Sequence, residues 1–80
     1  MQVILLLSAR KYILSLPGDI QERITSKIEF FSRQENITPF AKHIGGKFYR
    51  FRVGDYRVIF YIKNNVLYVD EIERRDKVYK

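Results

Sequence analysis

Residues 47–73 read KFYRFRVGDYRVIFYIKNNVLYVDEIE, and their hydrophobic pattern predicts a sheet. Apolar residues recur at every second position over three segments, a period typical of half-buried strands. The predicted strands are Lys47–Val53, Tyr56–Lys63 and Val66–Glu73. Two-residue segments, Gly54-Asp55 and Asn64-Asn65, separate them, and both pairs tolerate the positive φ that tight hairpin turns can require. The stretch therefore predicts an antiparallel three-stranded meander.

The first hairpin has a register that follows from its turn. If Val53 pairs with Tyr56, one face also carries the pairs Phe51 with Val58 and Tyr49 with Phe60. We expect this face to form the core. Successive side chains of a strand point to opposite faces, and only this face carries an apolar residue at every position of the hairpin. The opposite face then carries Arg52 beside Arg57, Arg50 beside Ile59, and Phe48 beside Tyr61.

Three arginines are thus predicted on one face of the hairpin. Like charges directly opposite each other destabilise a hairpin, and an anion bound between Arg52 and Arg57 would relieve the repulsion. Guanidinium groups bind phosphate oxygens through paired hydrogen bonds, so the cluster favours a phosphate site. The alternative is that long, exposed side chains splay apart into water. In the last strand we expect Arg57 opposite Ile72 and Asp70 opposite Ile59, so that Asp70 could orient an arginine.

The first half of the chain predicts a strand and two helices. Met1–Leu7 is apolar except at Gln2 and has the length of a strand, and Ser8 can cap a short helix from Ala9 to about Ser15. Asp19 and Glu22 have the spacing of a capping box that opens a second helix. The apolar stripe of that helix consists of Ile20, Ile24, Ile28 and Phe31. Glu35–Gly46 has no clear period and is predicted to be a connecting loop that contains His43.

Composition limits the classes of function. The chain of 80 residues carries a formal charge of +6, and residues 41–80 contribute ten basic against five acidic side chains. Basic residues interleaved with aromatic ones suit a polyanion, although the same balance can simply aid solubility. With no Cys and one His, the sequence predicts neither a disulfide nor a metal site. We expect one cytoplasmic domain spanning residues 1–80, without a membrane segment or cofactor.

Two motifs resemble those of the RelE/ParE toxin superfamily. They are YRFRVGDYRVIFY at residues 49–61 and RDKVY at residues 75–79, in the order and separation that the superfamily has. The resemblance implies an α+β fold with an N-terminal strand, a two-helix hairpin and a three-stranded antiparallel meander. It also implies a toxin. RelE-type members cleave mRNA in the ribosomal A site and are neutralised by an antitoxin, whereas ParE-type members inhibit DNA gyrase.

Site residues are carried over from the RelE-type nucleases position by position. The resemblance implies a catalytic set of Arg50, Arg52, Arg57, Arg75 and Tyr79. Further contacts to RNA are expected from Lys47, Tyr61, Arg74, Lys77 and His43. Arginine stays protonated, so we assign the arginines to charge stabilisation and not to proton abstraction. The general base remains unassigned by the sequence.

Three functions are compatible with this sequence. The first is a ribosome-dependent endoribonuclease that uses the 2′-OH of RNA as nucleophile and needs no metal. The second is a ParE-like gyrase inhibitor of the same fold, and the third is a non-catalytic basic RNA-binding module. For the first, the expected partners are mRNA in the ribosomal A site and a RelB-like antitoxin that presents an acidic segment or a helix. Neither membrane binding nor direct DNA binding is expected.

Overall fold

The computed structural model describes residues 1–74, and the predicted Arg75, Lys77 and Tyr79 lie outside them. Its elements are β1 (Gln2–Leu5), α1 (Leu7–Leu14), α2 (Gly18–Ser32), β2 (Lys42–Gly45), β3 (Phe48–Val53), β4 (Tyr56–Lys63) and β5 (Val66–Arg74). The strands form one five-stranded sheet in the order β1-β5-β4-β3-β2. The predicted α+β class and the strand, helical hairpin and meander are confirmed, and β2 adds a strand that the sequence did not predict.

Both helices pack on one face of the sheet. The predicted stripe of α2 is confirmed: Ile24, Ile28 and Phe31 are buried, and Ile20 is partly buried against the same core. Strands β3, β4 and β5 contribute a matching layer of buried residues, which are Phe51, Val53, Tyr56, Val58, Phe60, Leu67, Val69 and Ile72. Within residues 1–74, neither helix is long and apolar enough to cross a membrane.

The two predicted helix caps are wrong. The amide of Leu6 still donates to the carbonyl of Val69 in the sheet, at 2.9 Å, and the first helix begins at the very next residue. Ser8 therefore lies inside α1, where its hydroxyl donates to the carbonyl of Asp70 at 3.4 Å. In α2 the cap position is Pro17, whose carbonyl accepts from the amide of Gln21 at 3.0 Å. Asp19 consequently occupies the first turn, where a carboxylate complements the positive end of the helix.

The register of the first hairpin is confirmed. Val53 pairs with Tyr56, and the remaining pairs are Arg52 with Arg57, Phe51 with Val58, Arg50 with Ile59, and Tyr49 with Phe60. Gly54 has a φ of +58° and is the first residue of its turn, as a type II′ turn requires. Both residues of the second turn, Asn64 and Asn65, have positive φ, which is the pattern of a type I′ turn.

The predicted pairing of β4 with β5 is wrong for Arg57 and Ile59, which precede Phe60 in β4. The register shifts between Ile59 and Phe60, so that Ile59 pairs with Glu71 and Arg57 pairs with Glu73. Asp70 is the extra residue of a bulge, because Phe60 pairs with Val69. The core explains the shift. An unbroken alternation would place Ile72 on the face away from the helices, whereas the bulge buries Ile72 and turns Glu71 and Glu73 outward.

The predicted loop Glu35–Gly46 contains β2. This short strand pairs with β3 and aligns Lys42 with Arg50, His43 with Tyr49, and Gly45 with Phe48. Its residues are exposed, so no apolar alternation marks it in the sequence. Pairing with an existing strand, not burial of its own side chains, holds β2 in place.

Candidate nucleic-acid interface

The sheet face opposite the helices carries Tyr61 and the three predicted catalytic arginines that lie within residues 1–74. We call it the open face, and the register places on it Ile4 of β1, Lys42 of β2, Arg50 and Arg52 of β3, Arg57, Ile59 and Tyr61 of β4, and Tyr68, Glu71 and Glu73 of β5. Because both helices cover the other face, these side chains can meet a ligand from solution. The open face is basic across β2, β3 and β4 and aromatic towards the Phe48 end of β3.

Three arginines come together on the open face. Arg52 and Arg57 are directly paired across β3 and β4, and Arg50 follows on β3 with its side chain on the same side. Adjacent strands lie about 4.8 Å apart, so the backbones of this pair are close enough for two long side chains to contact one anion. Arg52 is exposed, whereas Arg50 and Arg57 are half-buried. The Nε of Arg50 is buried and, within residues 1–74, has no hydrogen-bond partner.

Arg57 is paired with a carboxylate. Its Nε donates to Oε2 of Glu73 at 2.8 Å, and its Nη2 donates to the same oxygen. The two side chains are 28% and 33% exposed, so water only partly screens this ion pair. The predicted role of Asp70 in orienting an arginine is wrong, since the bulge gives that position to Glu73. The carboxylate also provides part of the charge relief that the Arg52–Arg57 pairing requires.

Lys42 is a basic residue of the open face that sequence reasoning missed. It is paired with Arg50 across β2 and β3, which adds a fourth cation beside the three arginines. The sequence held no signal for this placement, because Lys42 fell within a predicted loop. The tertiary pairing of β2 alone brings it to the cluster.

Lys47 and Tyr61, both predicted to contact RNA, meet at the aromatic end of the open face. The Nζ of Lys47 lies 4.1 Å from the ring centroid of Tyr61 and 5.5 Å from that of Phe48. The Tyr61 and Tyr68 rings are stacked with centroids 5.0 Å apart. Cations over aromatic rings and stacked rings of this kind can hold the bases and phosphates of single-stranded nucleic acid.

His43 and Arg74 are not brought to the open face. His43 is paired with Tyr49, whose side chain lies on the helix side, and the two rings are 5.1 Å apart. Its Nε2 lies 2.7 Å from the carbonyl oxygen of Gly46 and donates to it. Arg74 is paired with Tyr56, also on the helix side, and its guanidinium carbon lies 5.8 Å from the Tyr56 ring centroid. Their placement separates both from Arg50 and Arg57.

A cleft of about 830 Å³ lies on the helix side, beside the turn between β3 and β4. Its lining includes two aromatic rings, Phe30 and Phe40, and three basic side chains, Arg23, Lys27 and Arg52. Arg52 therefore lies at the boundary between this cleft and the open face. A partner that occupied the cleft would compete with a ligand of the open face for the same guanidinium.

Comparison with known proteins gives structural matches only. No protein-family model matches the chain, and no curated protein sequence matches it. The isolated RelE toxin of E. coli is similar in structure, with a TM-score of 0.82 at 13% sequence identity over 98% of this chain and 87% of that one. The chain has the RelE-type toxin fold.

Two archaeal complexes extend this comparison. The RelE–RelB complex of Pyrococcus horikoshii matches with a TM-score of 0.77 and 22% identity, over 96% of this chain and 97% of that one. The RelB–RelE complex of Methanococcus jannaschii matches with a TM-score of 0.75 and 22% identity, over 95% and 94% respectively. The RelE-type fold therefore extends over nearly the whole of both chains in each pair.

Proposed function

We propose that this protein is the toxin of a type II toxin–antitoxin system and cleaves mRNA in the ribosomal A site. The observation that carries the proposal is the clustering of Arg50, Arg52 and Arg57 on the open face of a RelE-type fold. The first of the two sequence motifs that resemble the RelE/ParE superfamily contains these same arginines. Action on translating ribosomes would place the protein in the cytoplasm.

The arginines are suited to transition-state stabilisation. The 2′-OH of RNA attacks the neighbouring phosphorus, and the phosphorane that forms gains negative charge on its oxygens. Guanidinium groups held in position stabilise this charge more strongly than bulk water, because they need little reorganisation during the reaction. Arg57 is held in place by Glu73, and Arg50, whose Nε has no hydrogen-bond partner among residues 1–74, lies on the same face. The products would be a 2′,3′-cyclic phosphate and a 5′-OH, without a metal ion.

Arg75 and Tyr79 keep the roles that the family resemblance implies. We propose that Arg75 contacts the scissile phosphate or the leaving group, and that Tyr79 stacks on a base or assists a proton transfer. Lys77 would contribute a further contact to RNA. All three lie beyond the described residues, so mutation is the way to assign them.

The partner proposed for the toxin is an acidic antitoxin. RelE forms complexes with RelB in the archaeal structures that match this chain. An acidic segment or helix complements the net charge of +6 and would bind the open face or displace the residues that follow β5. Such a segment would cover the arginines and block RNA.

Primer extension on a translated message after induction tests this proposal. Wild-type protein should produce cuts within codons, and Arg50→Ala should lower their yield about 100-fold, the usual cost of losing one transition-state donor. Arg10→Ala is the charge-matched control, because Arg10 is an exposed residue of α1, and it should cut like wild type. Equal cleavage by both variants would remove the proposed role of the open face.

The other two functions have their own readouts in the same strains. Intact mRNA together with poisoned DNA gyrase in a supercoiling assay would assign the protein to the ParE-like class. Normal growth on induction with intact mRNA would leave a passive RNA-binding module. Either result would overturn the nuclease proposal.

A further inference from the structure

A nuclease of this kind needs a group that accepts the proton of the 2′-OH. The basic residues of the open face do not provide one readily, because arginine stays protonated and lysine is protonated at neutral pH unless it is desolvated. At neutral pH a carboxylate is deprotonated whereas a phenol is not, so carboxylates are better proton acceptors than the tyrosines of this face. The register places two carboxylates there, Glu71 and Glu73, and the bulge at Asp70 determines that both point outward.

Glu73 is distinguished from Glu71 by its contacts. Both hydrogen bonds from Arg57 fall on one oxygen, Oε2. Within residues 1–74 the other oxygen, Oε1, accepts no hydrogen bond, and the side chain is one-third exposed. Glu71 is exposed and, within the same residues, its side chain has no hydrogen bond or ion pair. A carboxylate with one oxygen anchored and the other available has the geometry of an oriented base.

The position of Glu73 relative to the arginines also suits this role. Glu73, Arg57 and Arg52 lie side by side on β5, β4 and β3, on a single line across the open face. At about 4.8 Å per strand, the line is about 10 Å long between the outer backbones. A phosphodiester bound by Arg52 and Arg57 would therefore have its adjoining ribose within reach of Glu73.

We propose that Glu73 is the general base of the proposed nuclease. Its Oε1 takes the proton from the 2′-OH while O2′ bonds to phosphorus and the bond from phosphorus to O5′ breaks. Water gives a proton to O5′, and Glu73 then returns its proton to solvent, so that no net proton is consumed. Arg57 orients the carboxylate and stabilises charge on the phosphate. This inference rests on the proposed function, since it assigns a residue to that reaction.

Glu73→Gln is the direct test, with Glu71→Gln as the matched control on the same strand and face. The amide oxygen introduced by Glu73→Gln can still accept from Arg57, but it cannot accept the 2′-OH proton. In single-turnover cleavage of mRNA on programmed ribosomes, Glu73→Gln should be slower by about 100-fold or more, the usual contribution of a general base. Binding of a 2′-O-methyl RNA should change less than threefold, and Glu71→Gln should cleave like wild type.

A modified substrate separates the base from the leaving-group acid. An RNA with sulfur in place of O5′ has a leaving group that needs no proton, so the defect of Glu73→Gln should persist on it at about the same magnitude. Recovery to wild-type rate on this RNA would show that Glu73 serves the leaving group, and it would overturn the assignment as base.

The remaining outcomes distinguish this inference from the function beneath it. If wild type cleaves and Glu73→Gln cleaves equally fast or faster, Glu73 is only a counter-ion that occupies Arg57, and the inference is overturned. If wild type itself does not cleave, the proposed function is wrong, and the assignment of Glu73 as its general base is wrong as well. Circular dichroism of Glu73→Gln identifies a loss of fold. If the fold is lost, the test is Glu73→Asp, whose carboxylate is one methylene group shorter and which should retain more activity than Glu73→Ala.

Discussion

Phe31 is one of the largest fully buried side chains of the core. It is fully buried on α2, its ring stacks on Phe51 at a centroid distance of 4.8 Å, and Phe60 lies 5.4 Å away. Phe30 meets it edge-on at 5.5 Å. The Phe31 side chain thus packs the second helix against the adjacent strands β3 and β4, which carry the arginines on their other face.

Phe31→Ala should lower the free energy of unfolding by about 3–5 kcal/mol, because it removes a buried ring and leaves a cavity. Phe40→Ala is the control, since that ring lies 6.5 Å from Phe31 but is 48% exposed. It should cost no more than about 1 kcal/mol. Urea unfolding followed by circular dichroism measures both values. Similar losses for the two variants would contradict the central position of Phe31.

The residues of the site differ in how far the sequence could predict them. The sequence was sufficient to predict that Arg50, Arg52 and Arg57 share one face, because a two-residue turn leaves a single pairing for the flanking strands. Lys42 and Glu73 could not be found in that way. The position of Lys42 depends on the pairing of an exposed strand. The position of Glu73 depends on a bulge that no local sequence signal predicts.

At the scale of elements, the turn between β3 and β4 controls the alignment of the arginines. Gly54 has a φ of +58°, a region that residues with a Cβ rarely adopt, and it lies in the two-residue turn that leads into the strand carrying Arg57. Gly18 makes a useful comparison because it is the first residue of α2 and a Cβ placed there would contact nothing within 4 Å.

The same substitution at these two glycines should have opposite effects. Gly54→Ala should destabilise the protein by about 1–2 kcal/mol, since the left-handed region strains a residue with a Cβ. Gly18→Ala should stabilise it by about 0.4–1 kcal/mol, since alanine loses less backbone freedom on folding. Thermal unfolding of the two variants beside wild type gives the signs. A stabilised Gly54→Ala would argue against the type II′ turn.

In the whole molecule, the apolar core and the cluster of basic side chains lie on opposite faces of the sheet. One side of the sheet is covered by two helices and contains the apolar core, while the open face collects cations from β2, β3 and β4. Polyanion binding by such a face releases counterions, so its affinity for RNA should fall as salt rises.

The salt dependence of RNA binding tests this division. For single strands the slope of log affinity against log salt is about −0.7 per phosphate contact, so Arg50→Ala should make the slope less steep by about 0.7. Arg10→Ala removes the same charge from α1 and should leave the slope unchanged. Fluorescence anisotropy with a labelled 2′-O-methyl RNA between about 50 and 200 mM KCl measures both. Equal slopes for Arg50→Ala and wild type would exclude a phosphate contact at that position.

Taken by itself, the sequence determined the α+β class, the helical stripe of α2 and the hairpin that aligns three arginines. Hydrophobic periodicity and the conformational preferences of turn residues act over a few residues, so these features can be predicted from the sequence. Only the tertiary structure decided where β1 and β2 join the sheet, that a bulge at Asp70 turns Glu73 outward, and that His43 lies on the helix side. These outcomes depend on burying Ile72 and pairing free strand edges, which are contacts between segments distant in the sequence.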